Sequence, residues 1–180
     1  TVAATLGLLA FAPAVAADSY PAHQITMVVP FAAGGPSDVI SRIVAEGMSK
    51  VLNQTIVIEN VGGAGGVTGA GAVARAEPDG YTMLLGNTST QVVNPFVMAH
   101  PPYDPQKAFS AISIIANSAI AFAVNPNAAP VKSLAELIAW IKANPGKASY
   151  GSPGAGTLTH LGGEIFKQIT SIKELAHVPY

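Results

Sequence analysis

The chain contains no cysteine. That excludes a disulfide framework, a thiolate metal site and a cysteine nucleophile, and it fits an oxidising compartment as well as a reducing one. Charge is scarce too: charged residues make up 11% of the 180, with nine basic against ten acidic and a formal net charge of −1. Neutralising several phosphates takes a concentrated basic face, so nucleic acid is not an expected partner. Aromatic residues are 7% of the chain. Trp140 and Phe166 sit at helical spacing among apolar neighbours, which marks them as core rather than ligand platforms. No internal repeat or low-complexity linker is visible, and beyond residue 20 no run approaches the ~20 apolar residues needed to span a bilayer.

Small and apolar residues are what the sequence has in quantity, and they are patterned. Residues 1–17 are apolar and alanine-rich (Leu6, Leu8, Leu9, Phe11) and close on Ala14-Val15-Ala16, the small-x-small pattern that signal peptidase accepts. Pro13 interrupts this stretch, and it is too short for an anchor. It reads as the remainder of a secretory signal, which predicts export of the mature protein. Neither an initiating Met nor a basic region precedes it, so the sequence is expected to be a fragment that starts inside its leader.

Further along, Ile25-Thr26-Met27-Val28-Val29-Pro30 predicts a buried strand. Pro36 suits a first helical turn, and Val39, Ile40, Ile43, Val44, Met48, Val51 and Leu52 give the following helix one apolar face. Ile56-Val57-Ile58 is the next strand, the glycines of 62–66 open a small-residue helix to about Arg75, and Thr82-Met83-Leu84-Leu85-Gly86 is a third strand. Strand, helix, strand, helix, strand predicts an α/β unit with a parallel sheet. After a proline-rich passage, the apolar runs 111–116 and 119–124 predict two strands or one long bent crossing strand. Ser133 and Glu136 form a capping-box pair at the start of a helix that Asn144-Pro145-Gly146 ends. A short strand at 148–150, a glycine-rich turn at 151–156, a helix from Thr157 to about Thr170 and a last strand over 175–178 complete the pattern.

Three strand ends lead into small-residue loops at helix starts: residues 31–38, 86–90 and 151–157. Ligands bind at such edges of open α/β sheets, where glycine permits close backbone approach and helix N-termini attract anions. Singly, each loop is more simply read as an ordinary helix cap; together they describe an anion pocket of backbone amides and hydroxyls. Micromolar affinity takes about −8 kcal/mol. Four or five charge-assisted hydrogen bonds at roughly 1.5–3 kcal/mol each supply that after binding costs, without an arginine.

Enzyme motifs do not hold up. Ser152 lies in Tyr150-Gly151-Ser152-Pro153-Gly154, where a nucleophile elbow needs glycine in place of Tyr150. Asn144-Pro145-Gly146-Lys147 lacks the upstream glycine and the following hydroxyl of a P-loop. Gly63-Ala64-Gly65-Gly66-Val67-Thr68 fails the dinucleotide pattern only at its last position, and a tight turn with close helix packing explains it better. His160 and Glu164 share a helix face, but two residues do not make a metal site and a hydrogen-bonded pair or cap is the expected role. No cofactor is expected.

Several of these segments resemble, in order, the Bug family of tripartite tricarboxylate transporter binding proteins. The matching motifs include Tyr20-Pro21, the strand and loop from Ile25 to Gly35 with Asp38, Val57-Ile58-Glu59-Asn60 with the glycines of 62–66, and Ala76-Glu77-Pro78-Asp79-Gly80-Tyr81-Thr82. Asn94-Pro95, Pro102-Tyr103-Asp104-Pro105, Ala143-Asn144-Pro145-Gly146-Lys147, Gly156-Thr157 with His160-Leu161, and His177-Val178-Pro179-Tyr180 follow. The resemblance implies a type II-like periplasmic binding fold with two α/β lobes closing on a ligand cleft. The first lobe would span 18–105, and 106–180 would begin a second lobe left incomplete here. It also implies capture of a small organic carboxylate for membrane permease subunits, by a protein that is monomeric at full length and has no catalytic residues. The ligand residues it implies are Phe31, Ala33, Gly34, Gly35 and Asp38; Thr88 and Ser89; and Gly154, Ala155, Gly156, Thr157 and His160. The chain departs from the family at Ala32, commonly proline, and in the charged stretch 171–175. Two other readings stay open: a sensor presenting its ligand to a membrane signalling kinase, and a nucleotide-dependent α/β enzyme using the glycines of 62–66. An exported protein meets little nicotinamide cofactor, which weighs against the second.

Overall fold

The structure, a computed structural model, describes residues 20–180; the leader assigned to residues 1–17 lies outside them. Its first unit is a parallel sheet in the order β2-β1-β3, from β1 (Ile25–Val29), β2 (Ile56–Asn60) and β3 (Thr82–Leu84). Met27 stands beside Ile58 on one side and Met83 on the other. A central strand with helices on both faces must be apolar along its whole length, and Ile25, Met27, Val28 and Val29 are all buried.

Helix α1 (Pro36–Leu52) starts on a proline, whose missing N–H costs nothing in the first turn, and ends on Asn53 in the left-handed conformation. Its inner face packs Ala45, Met48 and Leu52 against Ile25, Met27 and Ile56. The opposite face of the sheet is covered by α2 (Val67–Ala74), through Val67, Ala70, Leu84, Tyr103 and Phe109. Small residues bring α2 close to the sheet: a Cβ at Gly69 would lie 2.6 Å from the Val61 carbonyl and 3.0 Å from Pro30.

Residues 89–93 form a π-helical turn leading into the short α3 (Asn94–Val97). The second unit contains α4 (Leu134–Ala143), β4 (Ser149–Ser152), α5 (Leu158–Thr170) and β5 (Ala176–Pro179), with β4 and β5 paired in parallel. Its core is Ile141, Phe166, Ile172 and Leu175, with Trp140 and Tyr150 packed against it. The Ser133 hydroxyl accepts the Glu136 amide as expected. The Glu136 carboxylate, however, reaches to the Lys132 amide, one residue beyond a regular capping box.

The strands expected over 111–116 and 119–124 are not formed. No strand among the described residues pairs with this stretch, and Ile112 and Ile114 are 78% and 83% exposed. β-branched sequence is compatible with extended backbone, but a strand exists only through its ladder partner. Phe122 packs here against a core residue, with its ring 4.9 Å from that of Phe166.

Candidate ligand site

All three glycine and hydroxyl loops meet at the C-terminal ends of their strands, around a fourth, the turn at 62–66. That turn is their common neighbour. A Cβ at Gly66 would lie 3.0 Å from the Phe31 ring and 2.7 Å from Thr90; one at Gly65 would lie 2.9 Å from the Ala155 carbonyl and 3.1 Å from Thr157. Asn94, almost wholly buried, donates to the Gly65 carbonyl at 2.9 Å, and Ser89 Oγ accepts the Leu158 amide at 3.0 Å. The hydroxyl of Ser89 thus ties the first unit to the N-terminus of α5 across 69 residues of sequence. Thr88 sits just before the π-helical turn as its N-cap.

The first and third loops are built alike. In loop 31–38 the Gly34 amide donates to Asp38 Oδ2, four residues ahead, at 2.9 Å. In loop 151–157 the Gly156 amide donates to His160 Nδ1, again four residues ahead, at 3.2 Å. Thr157 caps α5 by accepting the His160 amide, and its own hydroxyl donates to the Gly154 carbonyl at 2.7 Å. Both loops therefore take their shape from a side chain in the first turn of the helix that follows.

Asp38 is fully engaged. Arg42 donates to it from Nε and Nη2, both at 3.0 Å, and Asn60 Nδ2 donates at 3.0 Å while also reaching the Phe31 carbonyl. The Arg42 bonds, then the Gly34 amide and Asn60, hold its carboxyl down to about 2. Asp38 and His160 were expected to touch ligand; the structure gives both an internal partner. The amides of Ala33 and Ala155, in contrast, have no backbone acceptor among the described residues. Each lies just before the N-terminus of a long helix, α1 or α5, where the peptide dipoles favour an anion.

Between the 62–66 turn and the third loop lies a cleft of about 410 Å³, lined by Ala64, Gly65, Asn94, Gly154, Ala155 and Gly156 with Val97, Met98 and Tyr180 at its apolar rim. No charged side chain lines it. A broader depression of about 630 Å³ lies beside α5, around Glu164, Lys167 and Lys173. It is open and away from the loop amides. Asn94, Ala64 and Gly65 were not expected among the site residues. The 62–66 glycines were visible as a turn, but nothing in the sequence placed that turn between two others.

Residues 40–180 match the model of the tripartite tricarboxylate transporter family receptor. The chain belongs to that family. A UPF0065 protein of Bordetella pertussis is 40% identical over 177 residues, covering 98% of this chain and 54% of the relative. BugT of the same organism is 36% identical over 178 residues, covering 98% and 53%. The chain thus spans about half the length of the curated relatives it matches. Among solved structures, a periplasmic transporter superposes with a TM-score of 0.81 at 44% identity, over 90% of this chain and 54% of that one. MatC of Rhodopseudomonas palustris with bound malate gives 0.77 at 28% identity, over 89% and 54%. An R. palustris protein with adipate gives 0.73 at 29%, over 89% and 53%. The α/β architecture of this receptor-family chain is that of periplasmic binding proteins.

Proposed function

We propose that this receptor-family protein is a periplasmic solute-binding protein that captures a small organic carboxylate and delivers it to the membrane permease of a tripartite tricarboxylate transporter. The observation that carries the reading is the pair of amides, Ala33 and Ala155, that have no backbone acceptor among the described residues and lie just ahead of two helix N-termini. Malate and adipate in the two R. palustris structures support an organic acid as the ligand class. The reading takes residues 18–105 as a first lobe and 106–180 as the start of a second, in a protein acting as a monomer. It assigns no catalytic step. Ser152, although its Oγ lies 2.6 Å from His177 Nε2, is buried and held to both the amide and the carbonyl of Gly154, which is not the setting of an exposed nucleophile.

Calorimetry of this chain with malate, adipate and their neutral diamides tests the reading. Binding of an acid but not its diamide is expected, and Gly34→Val, which puts a β-branched side chain at a φ of +80° and blocks close approach to the loop amides, should abolish it while the circular dichroism spectrum is kept. Equal binding of acid and diamide, or a folded Gly34→Val that binds like wild type, would sink it.

A further inference from the structure

We infer that His160 and His177 are positioning residues for the loop at 153–157, which they hold only while His160 Nδ1 is unprotonated, so that acid releases the loop and weakens ligand binding. The inference rests on the reading of that loop as part of the carboxylate site.

A backbone N–H can only donate, so the 3.2 Å contact from the Gly156 amide requires a lone pair on His160 Nδ1 and places the proton of the neutral ring on Nε2. Protonation puts a second N–H opposite the first, and either the ring or the loop must move. Asp38 occupies the corresponding place in the first loop, where its carboxylate accepts the Gly34 amide. The two loops share one design, and only the third uses the lone pair of a neutral imidazole as the acceptor.

His177 grips the other end of the same loop. Its Nε2 lies 2.6 Å from Ser152 Oγ, which accepts the Gly154 amide at 3.2 Å and lies 3.1 Å from the Gly154 carbonyl. The two imidazole rings pack with centroids 4.2 Å apart, so charging one opposes charging the other. Burial, with the His160 neighbour adding to it, pushes His177 below its ordinary value.

The other groups facing the pair are Glu164 and Lys167 on α5 and Tyr150 on β4. Tyr150 donates to Glu164 Oε1 at 2.7 Å and reaches the His160 carbonyl at 3.3 Å; Lys167 donates to both Glu164 oxygens, at 3.0 and 2.9 Å. The one carboxylate near the histidines is therefore already engaged by Tyr150 and Lys167. Glu164 attracts an imidazolium through space, but that attraction does not restore the contact that a charged His160 Nδ1 loses to the Gly156 amide.

The test begins on the ligand-free wild-type chain. Nitrogen-detected NMR of the imidazoles at about pH 7.5 should show His160 as the Nε2–H tautomer. Gly156 amide protection, corrected for intrinsic exchange, should fall about tenfold by about pH 5, as expected for loss of one hydrogen bond. His160→Asn supplies a side-chain oxygen that does not titrate, as Asp38 does in the first loop, and should flatten that fall. Adipate binding to both proteins at both pH values gives the second arm. The titration of adipate itself cancels in the ratio of the two affinities, and that ratio should shift about tenfold in favour of the variant at acid pH. An Nδ1–H tautomer in wild type, or parallel loss of protection in wild type and variant, overturns the inference. Absence of adipate binding by either protein at any pH counts against adipate as ligand, while the tautomer and exchange data still decide the lock.

Discussion

Gly66 is the tightest point of the site, and its replacement by alanine separates backbone strain from crowding. Its φ of +95° lies in the left-handed region, and an added Cβ would stand 2.7 Å from Thr90 Cγ2 and 3.0 Å from Phe31 Cζ. Left-handed backbone costs a residue with a Cβ roughly 1–2 kcal/mol. Crowding a packed interior adds typically about 1–3 kcal/mol, and Thr90, wholly buried, has little room to yield. Gly66→Ala should therefore lose about 2–5 kcal/mol of unfolding free energy, a large part of the roughly 5–15 kcal/mol that domains possess. Gly34→Ala is the control. Its φ is +80°, yet nothing lies within 4 Å of the added Cβ, so only the backbone cost of about 1–2 kcal/mol applies. Urea denaturation followed by circular dichroism gives both differences from the transition midpoints. Equal losses in the two variants would refute the claim that the 62–66 turn is wedged between Phe31 and Thr90, and with it the convergence of the loops.

Two further outcomes are expected. Because the folded carboxyl of Asp38 is held near 2, below the ordinary value of about 3.9, its contribution is fully present above about pH 4 and is lost as pH falls toward 2. Asp38→Asn should flatten the acid limb of the stability profile in that window, and an unchanged limb would show that the network does not stabilise the fold. Ile112 and Ile114 are exposed on the unpaired stretch 110–124, where apolar side chains favour association. Replacing both by Lys should lower the apparent mass in light scattering at high protein concentration; a mass unchanged from wild type would show that this stretch plays no part.

How much was legible in the sequence depended on whether a feature is decided locally. β1 could be read because a strand buried on both faces is apolar at nearly every position, and α1 because apolar residues recur along it at helical spacing; its inward face was misjudged, since Val39, Ile43 and Val51 are exposed and Ala45 packs beside Met48 and Leu52 instead. The helix caps at Ser133 and Thr157 were local too. Residues 110–124 misled for the complementary reason: β-branched composition records a preference for extended backbone and says nothing of a neighbouring edge. Within the site, the loops were visible as glycine and hydroxyl clusters. The division of labour inside them was not. Asp38 and His160 have the residue types of ligand contacts, and only the folded loop shows that each also accepts an amide of its own loop, Gly34 and Gly156 respectively. Asn94 and Gly65 meet across 29 residues, a pairing no spacing rule encodes.

The start of the described chain is clasped at the other end of the sheet. Tyr20 donates to the Gly80 carbonyl at 2.8 Å, the Ala22 amide donates to the Tyr81 hydroxyl at 2.7 Å, and His23 stacks on Tyr81 with ring centroids 3.6 Å apart. These contacts precede β1 and β3, whereas the site loops follow β1, β2 and β3, so the whole length of the sheet separates the two. Anything joined ahead of Tyr20 is consequently attached on the far side from the ligand loops. An affinity handle or a surface linker fused there starts from the edge of the sheet opposite the loops, so immobilised protein turns its loop end away from the support, the orientation that a surface assay of the proposed carboxylate capture requires.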